Sequence, residues 1–186
     1  MTHRAALPIL AALLTLEVTP GAMPAAAQDA SGTFAGGALG FGQGTMEVGE
    51  ASDSEDGLLL AGQLGTSRSG FRRWFLELGI HLFEVPNPVI DERYRAVSVM
   101  VHRSFGSRLF VTPGVGLVVR SWSGPEKVED FDVGPALGVS AGAPVRLGDG
   151  LVLVPEAVWR ASSIELEGEV EGRLLALRVA LLWMPS

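Results

Sequence analysis

Seven ionisable side chains recur at positions that strand alternation brings to one side of a sheet: Glu77, His81, His102, Arg120, Glu156, Arg160 and Arg178. Glu77 with His81, or Glu156 with His102, has the make-up of a carboxylate and imidazole pair for general acid and base work, which also requires a route for substrate. Ser98 and His102 have the residue types of an acyl-transfer nucleophile and its base. They lie four residues apart, and at about 3.4 Å per strand residue they are too distant to hydrogen-bond. The reading adopted is therefore structural: Glu77 and Glu156 match Arg160 and Arg178 in a buried ion-pair network. Removing one member of such a network strands a charge at a cost of about 3–5 kcal/mol. No catalytic residue is expected.

Two further stretches suggest ligands. The glycines Gly36, Gly37, Gly40, Gly42 and Gly44 lack the Lys-Ser/Thr pair of a phosphate-binding loop and open no helix. They read as strand glycines at sharp curvature, and no cofactor is expected. The run Glu165-Leu166-Glu167-Gly168-Glu169-Val170-Glu171 offers oxygen ligands for a divalent cation but has no calcium-loop spacing. A solvated hairpin with its tip at Gly168, charged against edge pairing, is preferred, and no metal site is expected.

The element that positions Glu77 and His81 spans 71–83, FRRWFLELGIHLF. Every second residue gives Trp74, Leu76, Leu78, Ile80 and Leu82 on one face, and Arg73, Phe75, Glu77, Gly79 and His81 on the other, a strand period of two. The same alternation predicts seven more strands, at 32–42, 57–66, 93–103, 108–121, 131–145, 151–162 and 173–183. Their bulky rows include Val97 and Val99, Val115 and Leu117, and Leu177, Val179, Leu181 and Trp183. Opposite these stand small or polar residues: Gln63, Ser98, His102, Thr112, Arg120, Asp132, Glu156, Arg160 and Arg178. Pro113 is out of place, since proline belongs at edges or bulges.

The connections alternate long and short, with 44–56, 84–92, 122–130 and 165–171 long and 67–70, 104–107 and 148–150 short. Charge follows length. The long connections hold Glu47, Glu50, Asp53, Glu55, Asp56, Glu84, Asp91, Glu92, Glu126, Glu129 and Asp130, while Arg68, Arg72, Arg73, Arg103, Arg108 and Arg146 flank the short ones. Trp74 and Trp183 lie near the short-turn end, Trp122 and Trp159 near the other, as aromatic girdles do at two membrane interfaces.

The N-terminus carries Arg4, an apolar run to Leu16 and the small residues Ala25-Ala26-Ala27. That is the pattern of a cleaved secretory signal over residues 1–27, leaving a barrel domain at 28–186. Mean hydropathy is +0.32 over 186 residues, yet past the signal no apolar run approaches the ~20 residues of a helical span. The chain has no cysteine, so neither a disulfide framework nor an N-terminal lipid-modified cysteine is available. A net charge of −7 disfavours nucleic acid as a partner. An all-β, eight-stranded antiparallel up-and-down transmembrane β-barrel accommodates all of this, because each crossing strand needs only about 9–11 residues. The bulky rows then face lipid, and an interior of eight strands is filled by side chains rather than open as a channel.

Pro113-Gly114-Val115-Gly116-Leu117, Gly134-Pro135-Ala136-Leu137-Gly138-Val139, Val154-Pro155-Glu156 and the closing run from Leu175 to Trp183 resemble the small eight-stranded outer-membrane barrels, the group containing OmpX and the OmpA transmembrane domain. The resemblance covers residues 31–183. It implies a Gram-negative outer membrane, outer-membrane lipids and lipopolysaccharide as surroundings, the barrel-assembly machinery as a partner in biogenesis, a monomer, and acidic loops available to an extracellular partner. Roles in this group range over adhesion and envelope integrity, so a structural or surface-contact role is the expectation. Two rival readings follow from other use of the same residues. A lipid A deacylase or acyltransferase needs a Ser/His pair near the outer leaflet. A soluble periplasmic ligand-binding barrel needs the row Trp74, Leu76, Leu78, Ile80 and Leu82 to line a pocket.

Overall fold

A computed structural model of the chain describes residues 32–68, 72–89, 93–106, 108–123, 130–166 and 168–184, with backbone alone at 122, 123, 130, 164–166, 168 and 169. The expected signal at 1–27 lies outside the described residues.

Eight long strands follow one another: β1 (Gly32–Val48), β2 (Ala51–Arg68), β3 (Arg72–His81), β4 (Arg93–Arg103), β5 (Phe110–Ser123), β6 (Asp130–Gly142), β7 (Leu151–Leu166) and β8 (Gly168–Trp183). Each pairs antiparallel with its neighbour in sequence, and β1 pairs with β8 over fourteen positions from Ala35↔Trp183 to Val48↔Val170. That last pairing closes the sheet, so no long strand is left with an open edge. Three short pieces, Val85–Pro86, Phe105–Gly106 and Val145–Gly148, add to β4, β5 and β7.

The alternation read along 71–83 sets the two surfaces. In β3 burial strictly alternates from Arg72 to Ile80, with Arg73, Phe75, Glu77 and Gly79 inside. Trp74, Leu76, Leu78 and Ile80 lie outside, 40–50% exposed. Val97, Val99, Val115, Leu117, Val179, Leu181 and Trp183 are likewise exposed, and Leu177 is partly so. A soluble pocket built on the Trp74–Leu82 row is thereby contradicted, because that row faces outward.

Several boundaries differ from the expectation. The segment 44–56 is no loop: β1 runs on to Val48, β2 starts at Ala51, and the ladder continues through Gln43↔Asp56 to Val48↔Ala51. Gly49, at φ +60°, takes the left-handed conformation that so tight a reversal needs. The described residues of the acidic run 165–171 are strand as well, and Gly168, expected at the tip, is paired with Leu166 in the ladder. The sixth strand stops at Gly142, and Val145–Gly148 pairs separately with β7. Pro113 sits in mid-strand opposite Val139, exposed, where the loss of one ladder donor is tolerated.

The lumen is layered. At the short-turn end Phe34, Phe75, Phe110, Val154, Leu182 and Met184 form a buried apolar cluster. At the far end a second one gathers Met46, Leu59, Phe83, Val85, Tyr94, Val158, Val170 and Leu174. Phe83 and Val85 reach it from the β3–β4 connection. They fit because Gly44 and Gly57 lie beneath them: a Cβ on Gly57 would lie 2.5 Å from the Phe83 ring, and one on Gly44 2.6 Å from it and 2.7 Å from Val85.

Candidate functional site

Between the two apolar plugs lies a polar layer whose long side chains come from β2, β3, β7 and β8. Glu77 of β3 is fully buried. Its Oε2 accepts from Gln63 Nε2 at 2.9 Å and faces Arg178 Nη1 at 2.8 Å, while its Oε1 pairs with Arg160 Nη2. Arg178 Nε donates to Glu156 Oε2 at 2.8 Å, and its Nη2 lies 2.7 Å from the same oxygen as an ion pair. Arg160 Nη1 donates to Ser98 Oγ at 2.8 Å. Each carboxylate is thus shared between arginines from other strands, the arrangement in which buried charge is compensated rather than stranded.

Arg73 joins this layer, although sequence reading grouped it with the arginines of the short turns. It is fully buried, its Nη2 lies 3.6 Å from Glu156 Oε1, and its guanidinium sits 5.0–5.7 Å from the ring centroids of Phe34, Phe75 and Phe110. A planar cation is suited to this position, with a carboxylate beside it and three rings within cation–π distance. The signal was present in the alternation, which puts Arg73 on the side of Phe75 and Glu77.

The histidines divide differently from either pairing considered above. His102 approaches Glu77, with Nε2 3.9 Å from Oε1, and stacks on Phe75 at 4.8 Å. Neither Glu156 with His102 nor Glu77 with His81 forms a pair among the described residues. His81 instead stacks on Phe83 at 5.4 Å. Arg120 also stands apart from the carboxylate layer: its Nη2 donates to Ser162 Oγ at 2.6 Å, on β7, one strand beyond its neighbour β6. Ser98 and His102 both point into the lumen, and Ser98 Oγ accepts from Arg160, an arrangement that does not activate a nucleophile. Of the acidic hairpin 165–171, the side chain of Glu171 is described and pairs with Arg173 at 3.1 Å; Glu165, Glu167 and Glu169 lie outside the described side chains.

The outer surface changes character at one level. On β1 Phe41 is followed by Gln43, Thr45 and Glu47; on β2 Leu58 gives way to Asp56 and Ser54; on β7 Trp159 gives way to Ala161 and Ser163; on β8 Leu175 gives way to Arg173 and Glu171. These switches fall within two ladder positions of one another. Below them, Trp159 and Trp183 are 42% and 60% exposed, and Leu151 pairs with Trp183. Eight residues at about 3.4 Å, tilted 35–45°, separate these levels by roughly 20 Å, comparable to the ~25 Å apolar band of a bilayer-spanning barrel. Above them β2, β1, β8 and β7 continue as one polar four-stranded wall. Trp122, expected in the same girdle, has no described side chain. At the short-turn rim, Arg103 stacks on both Trp74 and Phe105 at 4.8 Å.

No protein-family model matches the sequence, and no curated protein is significantly similar to it. In structure the chain is similar to Neisserial surface protein A, with a TM-score of 0.58 and 13% identity over 82% of this chain and 99% of that one. It is similar also to Ail, the attachment invasion locus protein of Yersinia pestis, solved in complex with the heparin analogue sucrose octasulfate. That match has a TM-score of 0.56 and 11% identity, over 81% of this chain and 99% of Ail. The fold is that of the small eight-stranded outer-membrane barrels.

Proposed function

We propose that the chain is an integral outer-membrane barrel with a structural or surface-contact role, without a pore and without catalysis. The observation that carries this reading is the inverted solvent logic of the fold: a continuous apolar band outside and a compensated charge layer inside, capped by apolar plugs. A polar interior of this kind is stable where the exterior solvent is hydrocarbon. The Glu77, Glu156, Arg73, Arg160 and Arg178 layer, with His102 beside it, serves to lock strands to one another across the lumen. The row from Trp74 to Ile80 with its counterparts on the other strands contacts lipid.

The acidic, long-connection end faces the exterior, and the arginine-bearing short turns face the periplasm, after residues 1–27 have directed export. Assembly by the barrel-assembly machinery, a monomeric state, and contact with lipopolysaccharide belong to this reading. The upper wall carries Glu47, Glu50, Asp53, Glu55 and Asp56. Ail was solved with a polysulfated ligand; a wall of carboxylates repels such a ligand, so the surface partner here is basic, or anionic and bridged by divalent cations.

The test is detergent dependence together with heat modification. The protein runs as a compact band before boiling and a slower one after it, and stays dispersed with surfactant alone. A monodisperse monomer in plain buffer overturns the reading.

A further inference from the structure

Above the Glu77–Arg178 layer, toward the polar wall, the lumen holds a cavity of about 50 Å³ whose lining includes His81, Tyr94, Ser98, Arg120, Arg160 and Ser162. Met46, Val85 and Leu174 of the upper apolar cluster close it on that side, and Thr45 and Arg173 of the wall also border it. No aspartate or glutamate is among the residues that line it. Arg120 is 4% exposed and Arg160 5%. Arg120 spends Nη2 on Ser162, but its Nη1 is buried and meets no protein acceptor, and the same holds for Arg160 Nε and for His81 Nε2. Room for the Arg120 guanidinium is made by Gly172, where any Cβ would overlap it.

The charge count points the same way. Arg73, Arg120, Arg160 and Arg178 are buried in the lumen, and Glu77 and Glu156 are committed to Arg73, Arg160 and Arg178. The remaining inward carboxylate near Arg120 is Asp132, its ladder partner, which is partly exposed and accepts from the Val133 N–H at 2.7 Å. Four guanidinium groups thus face three carboxylates among these residues. An arginine stays protonated at any working pH, so its charge must be met by an acceptor rather than neutralised by titration.

We infer that this cavity binds one small monovalent inorganic anion of halide type, held by Arg120 Nη1 with Arg160 and His81 around it. In this measure a water needs about 10–15 Å³, so the space admits a halide with a few waters and excludes a sugar or an acyl chain. The acidic residues at the same end are solvent-exposed and screened over about a Debye length, so they slow entry without occupying the site. The apolar plug of Phe34, Phe75, Phe110 and Leu182 below makes this a terminal site and not a conduction path.

Refolded protein in detergent is compared in sodium bromide and sodium gluconate at equal ionic strength, and crystals grown in bromide are examined for anomalous scattering. Bromide at 100 mM raises the unfolding midpoint by about 2–4 °C, and an anomalous peak lies within hydrogen-bond distance of Arg120. In Arg120→Gln that still shows heat modification, the bromide effect disappears. Should that variant fail to fold, the anomalous peak in the native protein decides. Equal midpoints in the two salts with no lumenal peak overturn the inference and leave the donors to water. A bromide effect that survives in Arg120→Gln, without a lumenal peak, also overturns it and places the ion elsewhere.

Discussion

Replacing Glu77 by Gln keeps the shape of the side chain and removes one of the two carboxylates that hold the polar layer together. Three donors lose a charged acceptor at once: Gln63 Nε2, Arg160 Nη2 and Arg178 Nη1. Arg73, Arg160 and Arg178 then share Glu156 alone. With Glu77 fully buried, solvent does not screen the loss, and breaking a buried pair from one side costs about 3–5 kcal/mol. At 1.4 kcal/mol per decade, that is roughly two to three and a half decades in the folding equilibrium. Removing Arg160 as well, as Glu77→Gln with Arg160→Met, takes away the charge left behind. The double variant should recover part of the loss, a coupling of about 0.5–3 kcal/mol. Urea unfolding in lipid vesicles, followed by tryptophan fluorescence, measures both. If Glu77→Gln falls within 0.5 kcal/mol of the native protein, as is ordinary for exposed sites, or if the double variant is simply the sum of its parts, the layer is not a coupled network.

Leu78→Arg, placed in the middle of the apolar band, should lower stability by about 2–4 kcal/mol, whereas Gln43→Arg above the band should cost about 0–1; equal folding yields in vesicles would remove the lipid-facing assignment. Gly57→Ala should displace Phe83 and destabilise by about 1–3 kcal/mol, and Phe83→Ala introduced with it should relieve the crowding term, both read from urea midpoints. Arg73→Lys keeps the charge but gives up the planar contact with three rings, and should cost about 1–2 kcal/mol. That loss should persist at high salt because the site is buried; a loss that salt abolishes would place Arg73 in solvent.

How much of this was legible follows from where the two solvents lie. Within the apolar band every second residue must satisfy hydrocarbon, so Trp74, Leu76, Leu78 and Ile80 announce their face, and Glu77 follows on the other by parity. Beyond the band both faces of a strand meet water or a shallow rim, and the period of two disappears while the ladder continues. For that reason 44–56, rich in Glu, Asp and Ser, read as a loop although its backbone pairs without interruption up to Gly49. Which side chains would meet was still less visible. His102 lies beside Glu77 because Gly114 of β5 leaves room for its ring, where a Cβ would overlap it, whereas His81, four residues along the same strand as Glu77, is out of reach. The seat of Phe83 depends in the same way on two glycines from other strands. Such fits are set by strand tilt and shear, which a linear pattern does not encode.

The opposite charges of the two ends also bear on how the polar layer can be so rich in arginine. A guanidinium in the band must either turn inward to a carboxylate or reach an interface. Arg73 and Arg103 show both outcomes on adjacent strands at nearly the same level, since Trp74, the residue next to Arg73, is the ladder partner of Arg103. Arg73 points inward to Glu156 and three rings, while Arg103 points outward and lies on Trp74 and Phe105. The outward position is favourable only where lipid headgroups begin, because an aromatic face offsets part of the desolvation and anionic headgroups supply the rest. Arg103 therefore fixes the lower edge of the apolar band as sharply as the Phe41–Gln43 step fixes the upper one. Among the described residues the acidic β1–β2 hairpin has no such aromatic seat, and on the proposed reading it projects clear of the bilayer at the other end.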